Sequence, residues 1–140
     1  MPFKTIMLPV DGSESAMHAG RLALELARVF SSRVHVMHCY DTIPGTIGGE
    51  ARERIAERET AESCDILIPY RVMFDQESIP CDLHIMYGNV AQAAITVVKE
   101  KGCDLVVMGH RGLGSAEGFM LGSVSQKVLE LCPVPVLVAR

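Results

Sequence analysis

With 140 residues, 49% of them hydrophobic, the chain is long enough to bury a core of its own and is read as one domain over residues 1–140. It has no Trp and 5% aromatic residues, so aliphatic side chains must build that core. A formal charge of −4 and the lack of a basic stripe argue against a general nucleic-acid or membrane-surface binder.

The elements alternate along the chain. Ile6-Met-Leu-Pro-Val10 is an apolar run ending in the turn and cap signal Asp11-Gly12-Ser13. Ala16, Ala19, Ala23, Leu26, Ala27 and Phe30 recur at helical spacing, which predicts a helix from about Ser13 to Phe30. Arg33 to Tyr40 reads as a strand, and Asp41 to Gly49 as a loop rich in Gly and Pro. Glu50 to about Leu67 is charged and helical, with Glu50 and Arg54 spaced as an ion pair. Pro69 is expected to break or kink this helix, leaving a last piece to about Gln76.

The alternation then continues. Cys81 to Tyr87 is a strand, Gly88-Asn89 a turn, and Val90 to Lys101 a helix closed by Gly102. Asp104 to Met108 is a strand, Ser123 to Leu131 a helix stopped by Pro133, and Val134 to Ala139 a last strand. Five strands with intervening helices predict an α/β fold, a five-stranded parallel sheet with helices on both faces.

Five glycines, Gly109, Gly112, Gly114, Gly118 and Gly122, lie within fourteen residues between the fourth strand and the last helix. A strand, a glycine-rich loop and a helix N-terminus suit phosphate, because backbone N–H groups can converge on an anion at the positive end of the helix. The spacing is not that of a Walker A loop, since Leu121-Gly122-Ser123 carries no Lys, nor of a dinucleotide fingerprint, since Glu117 stands where a Gly is needed. A plain β-to-α connection with turn glycines is the bland alternative.

The five cysteines (Cys39, Cys64, Cys81, Cys103 and Cys132) are odd in number and scattered, with no Cys-x-x-Cys. A disulfide framework is not expected and a reducing cytoplasm is the expected compartment. The N-terminal stretch lacks a secretory signal pattern, and no segment is long enough to span a bilayer. His35 and His38 stand three apart in a strand and should face opposite ways, which makes a poor metal site.

Pro9-Val-Asp11-Gly-Ser13, His38, Gly109-x-x-Gly112-x9-Gly122-Ser123 and the ending Cys132-Pro-Val-Pro-Val-Leu-Val-Ala-Arg140 together resemble the ATP-binding branch of the universal stress protein family. The resemblance covers nearly the whole chain. It implies an adenine-nucleotide α-hydrolase-like sheet of strand order 3-2-1-4-5. The first and fourth strands are then neighbours at the switch point, where such sheets bind ligands at their carboxyl ends.

The same resemblance implies a nucleotide site. Asp11 would accept hydrogen bonds from ribose hydroxyls, or would act only as a helix cap. Gly109, Gly112, Gly122 and the backbone at Ser123 would hold the phosphates, with Val124 and Ser125 beside them in the first helical turn. Ser123 with Gln126 also fits a capping box, which competes for the same hydroxyl. Pro9, Val10 and Cys39 would line the adenine side, with Met108 shaping the same pocket. Cys39 stands where the family often has Val. Arg111 would pair with phosphate or simply solvate the loop.

The implied cofactor is ATP, accompanied by Mg²⁺ or Mn²⁺. No nucleophile with an adjacent base and no paired carboxylates stand out, so hydrolysis is expected to be slow or absent. The expected function is an ATP-binding stress-response or signalling module. A true ATPase or phosphotransferase and a nucleotide-free adaptor dimer are the alternatives. Homodimerisation is expected through the strand at Val134 to Val138, unless Pro135 protects that edge.

Overall fold

The computed structural model describes residues 2–111 and 121–140. Strand β1 (Thr5–Pro9) leads to helix α1 (Glu14–Phe30), β2 (Arg33–Tyr40), α2 (Gly49–Gln76), β3 (Cys81–Tyr87), α3 (Val90–Lys101), β4 (Leu105–Gly109), α4 (Ser123–Leu131) and β5 (Val136–Ala139). The strands form one parallel sheet of order β3-β2-β1-β4-β5.

The period-2 alternation of the strands sorts side chains onto two apolar layers. Ile6, Leu8, Val34, Val36, Leu105 and Val107 pack against Ala19, Ala23 and Ala27 of α1 and Leu67, Tyr70 and Phe74 of α2. Met7, Met37, Cys39, Val106 and Met108 pack on the other face with Ala94, Val97 and Val98 of α3 and Val128 of α4. The small residues of α1 bring it close to the sheet and to α2. A Cβ on Gly20 would lie 2.6 Å from the Tyr70 ring.

Helix ends follow local chemistry. Ser13 caps α1 by accepting from the Ala16 N–H, and Asn89 caps α3 by accepting from the Gln92 N–H, each at 3.0–3.1 Å. Such caps stabilise a helix by about 1 kcal/mol. Gly102 closes α3 at φ +65°, its N–H donating to the Val98 carbonyl.

Pro69 does not end α2, which stays helical from Gly49 through Gln76. Pro69 and Asp65, whose carbonyl loses its helical donor, both face solvent, so water can satisfy that oxygen. Leu67, Tyr70 and Phe74 on the inner face are buried and hold both sides of the proline in one helix. Smaller differences concern strand ends. Val10 lies past β1, β4 is shifted one residue onward, and β5 starts at Val136. The pair expected between Glu50 and Arg54 forms at 3.9 Å on an exposed surface.

Candidate functional site

β1 and β4 lie side by side in the middle of the sheet, and their carboxyl ends open on one crevice. The β1 side of it is pinned by one backbone bond and one side-chain bond to β2. The Val10 N–H donates to the Met37 carbonyl at 2.8 Å, and the Val10 carbonyl lies 2.9 Å from His38 Nδ1. His38 is thus a strand-packing residue that fixes where the chain leaves β1. Gly12 turns the chain at φ +82°, a conformation that L residues rarely adopt.

Asp11 is not the cap of α1, because Ser13 has that place. Its Oδ1 instead accepts from the Ser13 N–H at 3.0 Å, an Asx turn.

On the β4 side, Gly109 packs against α1. A Cβ there would stand 2.5 Å from Ser15 Oγ and 2.8–2.9 Å from the Ser15 backbone. Close helix–strand approach therefore requires this glycine. Its carbonyl accepts from the buried Ser125 hydroxyl at 2.8 Å, which ties α4 to β4. The Ser125 proton is thus directed at protein.

Gly122, not Ser123, is the N-cap of α4. The capping box expected between Ser123 and Gln126 does not form; the Gln126 side-chain amide donates to the Leu121 carbonyl instead. Gly122 itself has no side chain with which to cap the first turn, and that turn carries no acidic residue. Its N–H donates to the His110 carbonyl at 2.7 Å, closing the base of the glycine loop.

These pieces surround a cavity of about 160 Å³. Of the residues singled out in the sequence, Pro9, Val10, Asp11, Cys39, Met108, Gly109, Arg111, Gly122, Ser123, Val124 and Ser125 all line it. Gly112, and with it Gly114 and Gly118, lies outside the described residues. Ala16 and Val90 line the cavity as well and carried no such expectation. Both sit in the first turn of a helix that follows a strand, and in a doubly wound sheet that position faces the switch-point crevice.

Cys39 reaches the cavity from β2 and donates its S–H to the Gly88 carbonyl at 3.5 Å. Burial, and then the nearby Asp41, push its pKa up, so the thiol stays protonated and poorly nucleophilic. All five cysteines are free thiols. Among the described residues no group of three or more His, Cys, Asp or Glu side chains is placed to hold a metal ion. His35 and His84 instead hydrogen-bond to each other across β2 and β3 at 2.9 Å. Burial lowers the pKa of both. Among the described residues no helix is long and apolar enough to cross a membrane.

Comparison with known proteins agrees with this architecture. A universal stress protein of Thermus aquaticus is 34% identical over 142 residues, covering 99% of this chain and 99% of its own. The solved universal stress protein UspA from Lactobacillus plantarum is 22% identical, covers 100% of this chain and 99% of its own, and superposes with a TM-score of 0.87. Three further structures of this fold, 20–21% identical with TM-scores of 0.70–0.74, are complexes with cAMP, with dAMP (from Archaeoglobus fulgidus) and with AMP (from Arabidopsis thaliana). Each covers at least 97% of this chain and at least 90% of its own. The model of the universal stress protein family matches residues 2–140. The chain belongs to the universal stress protein family.

Proposed function

We propose that this chain is a single nucleotide-binding domain that takes ATP in the cavity between β1, β4 and α4. It would serve as a stress-response or signalling module in the cytoplasm, with slow or no hydrolysis. The observation that carries this reading is the mixed lining of one cavity. Val10, Ala16, Cys39, Val90 and Met108 offer apolar walls, while Asp11, Arg111 and the first turn of α4 offer a carboxylate, a cation and backbone donors.

That division matches the chemistry of a nucleotide. A base seeks apolar contact, a ribose diol donates well to a carboxylate, and phosphate suits a helix N-terminus with an arginine beside it. The cavity is smaller than the roughly 300–1,000 Å³ of a site that encloses a drug-sized ligand. It would seat the base and sugar and leave the terminal phosphates toward Arg111 and the first turn of α4. The adenine nucleotides bound by proteins of the same fold support this choice of base.

Asp11 is the one carboxylate in the described lining, so Mg²⁺ or Mn²⁺ would ride mainly on the phosphates rather than in a protein cage. The ring nitrogens of His110 both have hydrogen-bond partners, and Asp11 would be taken up by the ribose, so among the described lining residues no side chain is left to act as general base for water. Assembly through the free edge of β5, where Leu137 is exposed, belongs to the same reading.

The test is to denature the purified protein and identify by mass any ligand released, then to titrate emptied protein with ATP by calorimetry. Binding of ATP with 1:1 stoichiometry supports the proposal. Protein that binds neither ATP, ADP nor AMP refutes it.

A further inference from the structure

His110 lies between four parts of the fold. Its N–H donates to the Ala139 carbonyl of β5 at 3.1 Å, and its own carbonyl accepts from Gly122 at the N-cap of α4. Its ring Nδ1 stands 3.2 Å from the same Ala139 oxygen and 3.3 Å from Ser15 Oγ of α1. Its Nε2 lies 3.0 Å from Nε of Arg111, and Arg111 lines the cavity. Ser15 Oγ also accepts from the Arg111 backbone N–H at 3.4 Å.

These partners select one tautomer. An arginine Nε carries a proton at every relevant pH, so it can only donate, and the His110 Nε2 facing it must be a bare lone pair. A backbone carbonyl can only accept, so the proton of the neutral ring sits on Nδ1 and points at Ala139. The other tautomer, or an imidazolium, would set an N–H against the Arg111 N–H. An imidazolium would also add a like charge beside the guanidinium.

We propose that His110 is a positioning residue of this site: its neutral, Nδ1-protonated ring, anchored on β5, holds the Arg111 side chain against the cavity wall where phosphate would lie. This rests on the nucleotide reading of the cavity. The role is regulatory in kind. Anything that shifts the end of β5 alters the hold on phosphate, while the apolar end of the cavity, lined by Val10, Cys39 and Val90, is left as it was.

Two ligands and four variants test it by calorimetry: ATP, and adenosine, which has no phosphate. R111Q lowers ATP affinity roughly tenfold or more, the value of a charge-assisted hydrogen bond, and leaves adenosine unchanged. H110N can still donate to Ala139 but offers Arg111 no acceptor, and it loses a comparable share for ATP alone. H110Q places its amide oxygen near the former Nε2 and recovers most of that loss. H110N/R111Q is no weaker than R111Q, because the two side chains act as one unit. Nitrogen NMR of the His110 ring reads the Nδ1–H tautomer in protein without ligand.

An Nε2–H tautomer overturns the proposal. So does H110N that binds ATP as tightly as wild type, or a loss in the double variant equal to the sum of both. Wild type that binds neither ATP nor adenosine overturns the nucleotide reading and this proposal with it. Wild type that binds ATP with H110N unaffected overturns the role of His110 alone.

Discussion

Gly109 and Gly122 belong to one sequence pattern, but the structure gives a packing reason only for Gly109, and Gly109→Ala isolates it. The added methyl would stand 2.5 Å from Ser15 Oγ and 2.8 and 2.9 Å from the Ser15 carbonyl carbon and oxygen. The hydroxyl can rotate aside, but the backbone atoms move only if α1 moves. Ala19, Ala23 and Ala27 of α1 are buried against the sheet, so that shift opens contacts along the helix. Overpacking of this kind costs about 1–3 kcal/mol, and two backbone contacts place Gly109→Ala in the upper half, about 2–3 kcal/mol. For a domain of this size each kcal/mol lowers Tm by roughly 3–4 °C, so a fall of about 6–12 °C is expected. Thermal unfolding followed by circular dichroism, with a urea midpoint as a second measure, is the assay. A Tm within about 2 °C of wild type would refute the close-packing argument and return Gly109 to the role of a ligand contact.

Gly122→Val is the counterpart: φ −67° and ψ 162° suit a β-branched residue, so the fold should hold while ATP affinity drops in calorimetry, and equal affinity would remove α4 from the site. Phosphate release with Mg²⁺ should run well below the roughly 1–100 s⁻¹ of kinases, and fast saturable turnover abolished in Asp11→Asn would contradict the non-enzymatic reading. The His35–His84 pair gives a pH dependence. Both pKa values are lowered on folding from 6.5, so the unfolded chain binds more protons as pH drops below 6.5, and folding stability falls until the lower folded values are passed. A urea midpoint that drops less between pH 7.5 and 5.5 in His35→Gln/His84→Gln than in wild type is the expected result; an unchanged slope would exclude the pair as the source. On β5, Val136 packs toward the core and Leu137 faces out, so Leu137→Asp is the cleaner probe of the edge. Light scattering across dilution should show a dimer for wild type and a monomer for this variant, and a wild-type monomer at high concentration would end the assembly proposal.

Much of the architecture was legible because it depends on local periodicity. The strands from Arg33 to Tyr40 and Cys81 to Tyr87 and the helices from Val90 to Lys101 and Ser123 to Leu131 have the bounds that their residue patterns indicate. Local cap signals were less decisive. Asp11 and Ser13 are both good caps, as are Gly122 and Ser123, and only the folded chain chooses between them. Pro69 shows the same limit from the other side: its local effect is to break a helix, yet burial of Leu67, Tyr70 and Phe74 outweighs it, and that burial depends on where α1 lies. The lining of the cavity was legible where a family motif marks it and silent at Ala16 and Val90, ordinary small apolar residues that become site residues only by position.

By itself, then, the sequence determined the order and type of the elements and the chemical kinds gathered near the glycine loop, because spacing and side-chain type act over a few residues. Only the tertiary structure decided that Gly109 is a packing glycine, that Ser125 ties α4 to β4, and that His110 stands between Ala139 and Arg111. Each of these joins residues distant along the chain, such as Ser15 with Gly109 and His110 with Ala139. Their contact exists only once parallel strands and their covering helices have been brought into register.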